Sequence, residues 1–411
     1  MITTRKFWLG VHRYCGLLAM ALLLVIALTG SMLAFEHEID AWLNPALMRT
    51  GHDRPSLSPD KLISIVENND PRLEVGLLPL DTRPGESREL RVTPRVNPVT
   101  GTPWKLDFDR LFVDPATGTV LGRRQWGALK WDRVHLMPFL NVLHRKFHLP
   151  GKWGMWLTGG VALAWLLSSM VGICLTLPRR SARKAGAATF WQRWKPAWQI
   201  KRGASWKRAN FDLHRAVALW TLPAALMLAV SGVYFSLGNE VFRPIVRLFS
   251  AVTPQPLQAL PHLATPRPPA FATEEAIEHA RAHLPPAARS FVPWYAGHNA
   301  QLGVYRIAFK EDGMREKALR VRYEQMFIDD QTGERKGTSG YDSGTAGDRF
   351  LIWQYPLHTG RVLGWWGRAL ICLVGLLTAV LCIAGLLVWW TRRQAQASAV
   401  HSRSPRMQMA R

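Results

Sequence analysis

The chain has 411 residues, 48% of them hydrophobic, and carries 52 Lys and Arg against 29 Asp and Glu, a formal net charge of +23. A soluble protein this basic would point to nucleic acid, but the apolar residues gather in four nearly uncharged runs, about 16–35, 154–177, 216–237 and 369–390. Each is close to the roughly 20 residues that cross a bilayer core of about 30 Å, which excludes an ordinary soluble globule and predicts four membrane spans.

In chain order, the first run follows Leu9-Gly-Val-His12-Arg13 and ends in Thr29-Gly30. Its apolar core exceeds the roughly 7–15 residues of a cleaved leader, so it reads as a retained span. The second follows Leu143-His144 and Trp153-Gly154 and is closed by Arg179-Arg180. The third follows Phe211-Asp-Leu-His214-Arg215 and ends in Ser231-Gly232. The fourth follows Leu357-His358 and Trp366-Gly367 and is closed by Arg392-Arg393. The chain therefore reads twice over as span, long segment, span and basic stretch.

Charge sets the expected topology. The stretch from Arg179 to Arg208 is dense in Arg and Lys and holds no acid; Arg5, Lys6 and Arg13 precede the first span, and Arg392, Arg393, Arg403, Arg406 and Arg411 follow the last. Positive residues stay inside, which places both termini and the basic loop in the cytoplasm and the two long segments outside it. The expected division is 1–37 with the first span, 38–152 as a periplasmic domain, 153–178 as the second span and 179–210 as the basic loop. The third span is then 211–237, a second periplasmic domain 238–366, the fourth span 367–391 and a tail 392–411. The four cysteines, Cys15, Cys174, Cys372 and Cys382, all sit in or beside spans, so neither long segment has a disulfide framework. The absence of Cys-x-x-Cys-His excludes covalent c-type haem attachment.

Both long segments look α+β. Ser58-Pro-Asp60 opens a helix to about Val66, and Thr273-Glu274-Glu275 opens one to about His283. Strand-like runs follow each, with alternating Leu106/Phe108/Arg110 and Leu319/Val321/Tyr323. Asp114-Pro-Ala-Thr117-Gly118 and Asp329-Asp-Gln-Thr332-Gly333 then read as hairpin turns with Gly at positive φ. Pro254–Pro269 is expected to be a linker, and the polar tail after Arg393 to be disordered.

His-Arg ahead of a span ending Thr-Gly or Ser-Gly, the Asp-x-x-Thr-Gly turn, and Leu-His ahead of the even spans together resemble the PepSY-associated transmembrane family over nearly the whole chain. Within it, the stretch from Leu143-His144 through Pro178 is most similar to the iron-regulated branch that includes the ferric-siderophore reductase. The resemblance implies a four-span helical bundle of two pseudo-repeats with two extracytoplasmic α+β PepSY-like domains. It also implies b-type haem, expected twice, and reduction of siderophore-bound iron.

Of the 13 histidines, the repeat singles out His12 with His214 at the cytoplasmic ends of the odd spans, and His144 with His358 just outside the periplasmic ends of the even ones. Paired imidazoles leave haem iron six-coordinate, suited to electron transfer. On the residues alone, a haem ligand and a helix-end anchor among phosphates are equally good readings of His-Arg. Arg13 and Arg215 suit haem propionates and suit anchoring as well. His37 is an alternative periplasmic ligand, although Asn239 stands opposite it in the repeat. His148 is assigned to ring orientation or propionate contact. His135 is unmatched, and Asp132-Arg133 with Asp348-Arg349 reads as a pair of structural salt bridges. The function expected is a di-haem cytochrome carrying electrons from a cytoplasmic or quinol donor to a ferric siderophore in the periplasm. The alternatives are a haem-free PepSY-domain anchor or regulator that binds periplasmic proteins, and a haem oxidoreductase with another periplasmic acceptor.

Overall fold

The computed structural model describes residues 2–81, 83–178, 188–313 and 321–401; Leu319, Arg179, Arg180, Arg183 and Lys184 lie outside them. In chain order, short helical turns aside, the elements are α1 (Ile2–Leu33), α2 (Glu36–Leu43), α3 (Pro59–Asn69), β1 (Leu73–Pro79), β2 (Arg88–Pro94), β3 (Arg110–Val113) and β4 (Val120–Arg124). There follow α4 (Leu136–Lys146), α5 (Trp153–Thr176), α6 (Trp206–Ser236), α7 (Thr273–Ala282), β5 (Val292–Asn299), β6 (Val304–Lys310), β7 (Tyr323–Asp329), β8 (Arg335–Gly340), α8 (Ala346–His358) and α9 (Gly364–His401). They form two compact units, one of Met1–Ala34, Leu143–Val241 and Arg368–Arg411, the other of Phe35–Val142 and Phe242–Gly367.

The first unit is a bundle of the four helices that, among the described residues, are long and apolar enough to cross a membrane: α1, α5, α6 and α9. The protein is a multi-pass membrane protein. Small residues let the helix backbones approach. Between α5 and α6, Gly232 lies against Ala162, and Thr158 Oγ1 meets Ser236 Oγ at 3.0 Å. Between α9 and α1, Ser31 Oγ donates to the Cys372 carbonyl at 3.0 Å. Between α6 and α9, Asn210 Nδ2 donates to the Ala384 carbonyl at 3.0 Å, and Leu228 packs on Ile371 and Val374. Pro223 interrupts the hydrogen bonding of α6 without ending the helix, as neighbouring helices allow within a bilayer.

The helices outrun the apolar runs. The 31 residues of α6 extend about 46 Å, well beyond a bilayer core of about 30 Å. Helix α1 begins at Ile2 and α6 at Trp206, so His12 and His214 lie well inside helices rather than at their mouths. Helix α9 continues to His401, so the tail expected to be disordered from Arg393 is helical that far.

In the second unit the two long segments build one antiparallel sheet, ordered β4-β3-β2-β1-β5-β6-β7-β8. The seam is short: Leu78 pairs with Ala296 and Pro79 with Tyr295. Helix α3 seats Leu62 and Val66 against Val75, Leu90 and Leu111, while α7 seats Ala276, Ile277 and Ala280 against Ile307, Phe309 and Met326. Leu80 packs against both cores. Across the seam Asp60 accepts from the backbone N–H groups of Thr273 (2.7 Å) and Glu274 (3.0 Å), while Glu274 Oε1 accepts from the N–H of Asp60 at 3.5 Å. Each helix thus offers a carboxylate to the orphan donors of the other's first turn.

Both hairpin turns form where the spacing places them. Asp114 accepts from the N–H of Ala116, Asp329 accepts from those of Gln331 and Thr332, and Gly118 and Gly333 take φ of 76° and 72°. The two Asp-Arg pairs are not salt bridges. Asp132 instead accepts from the His135 ring at 2.8 Å, and Asp348 completes a capping box with Thr345 at the start of α8 and takes Thr253. Arg349 turns to the Tyr341 carbonyl.

Candidate cofactor site

Within the bundle, His12 on α1 places Nδ1 3.0 Å from both the carbonyl oxygen and Oγ of Ser168 on α5. His214 on α6 places Nδ1 3.1 Å from the Leu381 carbonyl on α9. A carbonyl accepts only, so each Nδ1 donates, and in the neutral tautomer Nε2 is the nitrogen left to ligate. Among the described residues neither Nε2 has a hydrogen-bond partner. This is the arrangement of a metal-ligating histidine, whose second nitrogen is fixed by a backbone carbonyl.

The ring centroids of His12 and His214 are 6.3 Å apart with planes at 67°. Two imidazoles sharing one metal at about 2.0 Å, each with its ring centre about 1.1 Å beyond the nitrogen, have centroids roughly 6 Å apart. Rotation about the common axis leaves the interplanar angle open. That separation would admit one metal between the two rings.

Both rings line a cavity of about 560 Å³, within the roughly 300–1,000 Å³ of ligand pockets. Its wall is chiefly apolar, with Leu23, Trp165 and Ala225 among the lining residues, and Arg5, Arg13, Arg215 and Arg392 lie on it too. Two imidazoles with open Nε2 atoms, an apolar slot and several guanidinium groups match a flat, apolar macrocycle with acidic side arms. Haem fits. Among the described residues no cluster of three or more His, Cys, Asp or Glu could hold a bare metal ion.

The seats of these rings are glycines. A Cβ on Gly172 would stand 3.2 Å from His12 Cε1, and one on Gly385 would stand 3.1 Å from His214 Cε1. Each glycine lies one turn beyond the residue whose carbonyl takes Nδ1, Ser168 and Leu381. His144, on α4, is held in the same way: Nδ1 is 3.0 Å from the Ile26 carbonyl, and a Cβ on Gly30, one turn on, would lie 2.9 Å from its Cε1. Thr29 Oγ1 is also 3.1 Å from Nδ1. Burial pushes the His144 pKa down to about 4, so its imidazole is neutral at physiological pH, the form that ligates a metal.

The other candidates are placed differently. His358 is the last residue of α8, in the sheet unit. His37 is half-exposed and its Nε2 hydrogen-bonds the Glu86 carboxylate at 3.1 Å. His148 and Phe147 both take positive φ, 55° and 51°, an uncommon conformation for such residues, in the short link between α4 and α5. Arg215 lines the cavity but donates to Asp212 at 2.9 Å and to the Pro196 carbonyl at 2.6 Å.

His12-Arg13 and His214-Arg215 were legible as motifs; the glycines were not. Gly172 and Gly385 stand the same distance ahead of Arg179-Arg180 and Arg392-Arg393, and that register was the available signal. Asp212, Arg5 and Arg392 were likewise seen only as charge. A family model described as the PepSY-associated TM region matches residues 9–392. No curated protein matches the chain.

Proposed function

We propose that this chain, which belongs to the PepSY-associated TM region family, is a di-haem b-type cytochrome of the bacterial inner membrane that reduces siderophore-bound ferric iron in the periplasm. The observation that carries the reading is the His12–His214 pair, with centroids 6.3 Å apart and both Nδ1 atoms fixed to carbonyls. Bound there, haem supplies one-electron chemistry at iron with no proton to manage.

The chain's own residues do the rest. The Ser168 and Leu381 carbonyls fix tautomer and ring orientation, so the ligands are set before the cofactor arrives. Gly172 and Gly385 give the imidazoles room to lie against the neighbouring helix. The apolar wall excludes water and stabilises the less charged redox state. His144, neutral and seated on Gly30, is the candidate ligand of the second haem. The electron donor is a soluble cytoplasmic reductant or quinol, and the acceptor is a ferric chelate, whose hard oxygen ligands hold iron(II) more weakly.

The test begins with a dithionite-reduced minus oxidised spectrum of the detergent-purified protein. Sharp α and β bands are expected, and a folded but colourless protein sinks the reading. Reoxidation of the reduced protein by a ferric hydroxamate, with iron(II) trapped by a chromogenic chelator, then tests the acceptor. Haem that is never reoxidised by ferric chelates removes the siderophore while keeping the cytochrome.

A further inference from the structure

Four arginines line the cavity between His12 and His214, and they are not equivalent. Arg5 donates to the Leu175 carbonyl at 2.7 Å. Arg392 stacks its guanidinium 5.5 Å from the Phe211 ring centre. Arg215 is held on two sides, by Asp212 and by the Pro196 carbonyl. Asp212 is 1% exposed and also takes Arg208 at 2.9 Å, so this carboxylate is buried between two cations. Releasing Arg215 would leave Asp212 short of a partner, which is costly in a buried setting. Among the described residues Arg13 makes no hydrogen bond or ion pair.

The repeat explains the difference. Superposing His12-Arg13 on His214-Arg215 places Gly10 where Asp212 stands. The first copy therefore lacks the carboxylate that sequesters the second copy's arginine. The space is there: a Cβ on Gly10 would meet nothing within 4 Å.

We propose that the cavity has a one-sided carboxylate clamp, in which Arg13 binds the propionates of the macrocycle while Arg215, occupied by Asp212, positions the helix end instead. The inference rests on the haem reading of the cavity. A guanidinium and a carboxylate pair through two parallel N–H···O bonds, and Arg13 is the cation whose donors remain to be used. Asp212 acts as the element that decides which repeat faces the propionates.

The test titrates haem b and its dimethyl ester, which lacks the propionate charges, into apo-protein and follows the Soret band. The wild type should bind haem at least ten-fold more tightly than the ester. Arg13→Gln should bring the ratio close to one, chiefly by weakening haem and not the ester, with the bis-histidine spectrum retained. Gly10→Asp, which supplies the missing carboxylate, should do the same without removing any cation. Arg215→Gln should leave the ratio near that of the wild type. Two results overturn the clamp: a wild type that binds haem and ester alike, or a ratio that survives both Arg13→Gln and Gly10→Asp. An Arg215→Gln that collapses the ratio by itself also overturns it. A wild type that takes up neither compound fails one step earlier, because the cavity is then not a haem site. The apo-protein's melting temperature separates a folding defect from lost binding, and Gly10→Asp and Arg13→Gln need not share such a defect.

Discussion

The bundle and the sheet unit use their internal repeat in different ways. In the bundle the copies match nearly atom for atom in kind: imidazole Nδ1 on a carbonyl, glycine one turn on, in both His12 with Gly172 and His214 with Gly385. In the sheet unit the copies keep the strand order and the turns but share few specific contacts. The first half buries an ion pair, Arg124 on Asp40 at 2.7 and 2.9 Å, whereas the second stacks Phe242 on Phe350 with centroids 5.9 Å apart. The difference shows where the duplicated chain is constrained. Two residues that would face one shared group keep their surroundings, while two halves that pair with each other are free to become complementary.

The largest expected effects attack the matched copies. His12→Ala and His214→Ala should each abolish the haem of that level, measured as haem per protein by the pyridine haemochromogen. If either variant keeps full haem, the pair does not share an iron. Next comes the unmatched ion pair of the sheet unit. Arg124→Met strands a buried Asp40 and should destabilise that unit by about 3–5 kcal/mol in a chemical melt, while the bundle's haem spectrum stays intact. A loss below about 1 kcal/mol would put the pair among surface-like bridges.

The glycine seats sharpen the comparison on a smaller scale. Alanine is the better helix former by about 1 kcal/mol, so Gly172→Ala and Gly385→Ala should remain folded yet weaken haem binding several-fold in Soret titrations. Matched seats should suffer alike; a defect confined to one would show that the copies have diverged. Gly30→Ala, at the tightest of the three contacts, should perturb the His144 level most.

The seam of the sheet adds a pH test. His298 on β5 bridges Glu74 on β1 at 3.1 Å and the fully buried Asp330 at 3.0 Å, with the Tyr305 ring tilted against it at 4.8 Å and Arg267 3.9 Å from Asp330. Burial alone would lower its pKa, but the two carboxylates outweigh that and hold it raised. The unfolded value is about 6.5, so this stabilisation is complete below that pH and fades as pH rises through the folded value. The sheet unit should melt lower at alkaline pH, and His298→Gln should flatten the dependence. A wild-type melt insensitive to pH across that window would remove the bridge as a contributor. The smallest effect is Thr345→Ala, which deletes the capping box of α8 and should cost about 1 kcal/mol.

Much of this was legible in the sequence, and the failures have physical reasons. Runs of apolar residues gave the spans because backbone polar groups in a bilayer must be satisfied within a helix. The same runs understated helix length, since α1 and α6 continue through polar residues that no longer need an apolar face. His12 and His214 stood out because the internal repeat pairs them in register. Gly172 and Gly385 did not, because glycine in a membrane helix usually signals close packing alone. The joining of the two long segments into one sheet was hidden for another reason. A strand's alternation reports which face is buried and says nothing about which edge it meets.

That seam has a consequence for how the molecule is made. Strand β1 emerges early, with one edge complete against β2 and the other bare, and its mate β5 is translated only after two further membrane crossings. Throughout that interval the nascent chain displays an open backbone edge of the kind that recruits wrong strands. Both segments must also arrive in the same compartment for the edge to be covered. Synthesis of the first half alone should therefore yield a species more prone to self-association than the full chain, in which β5 pairs with β1.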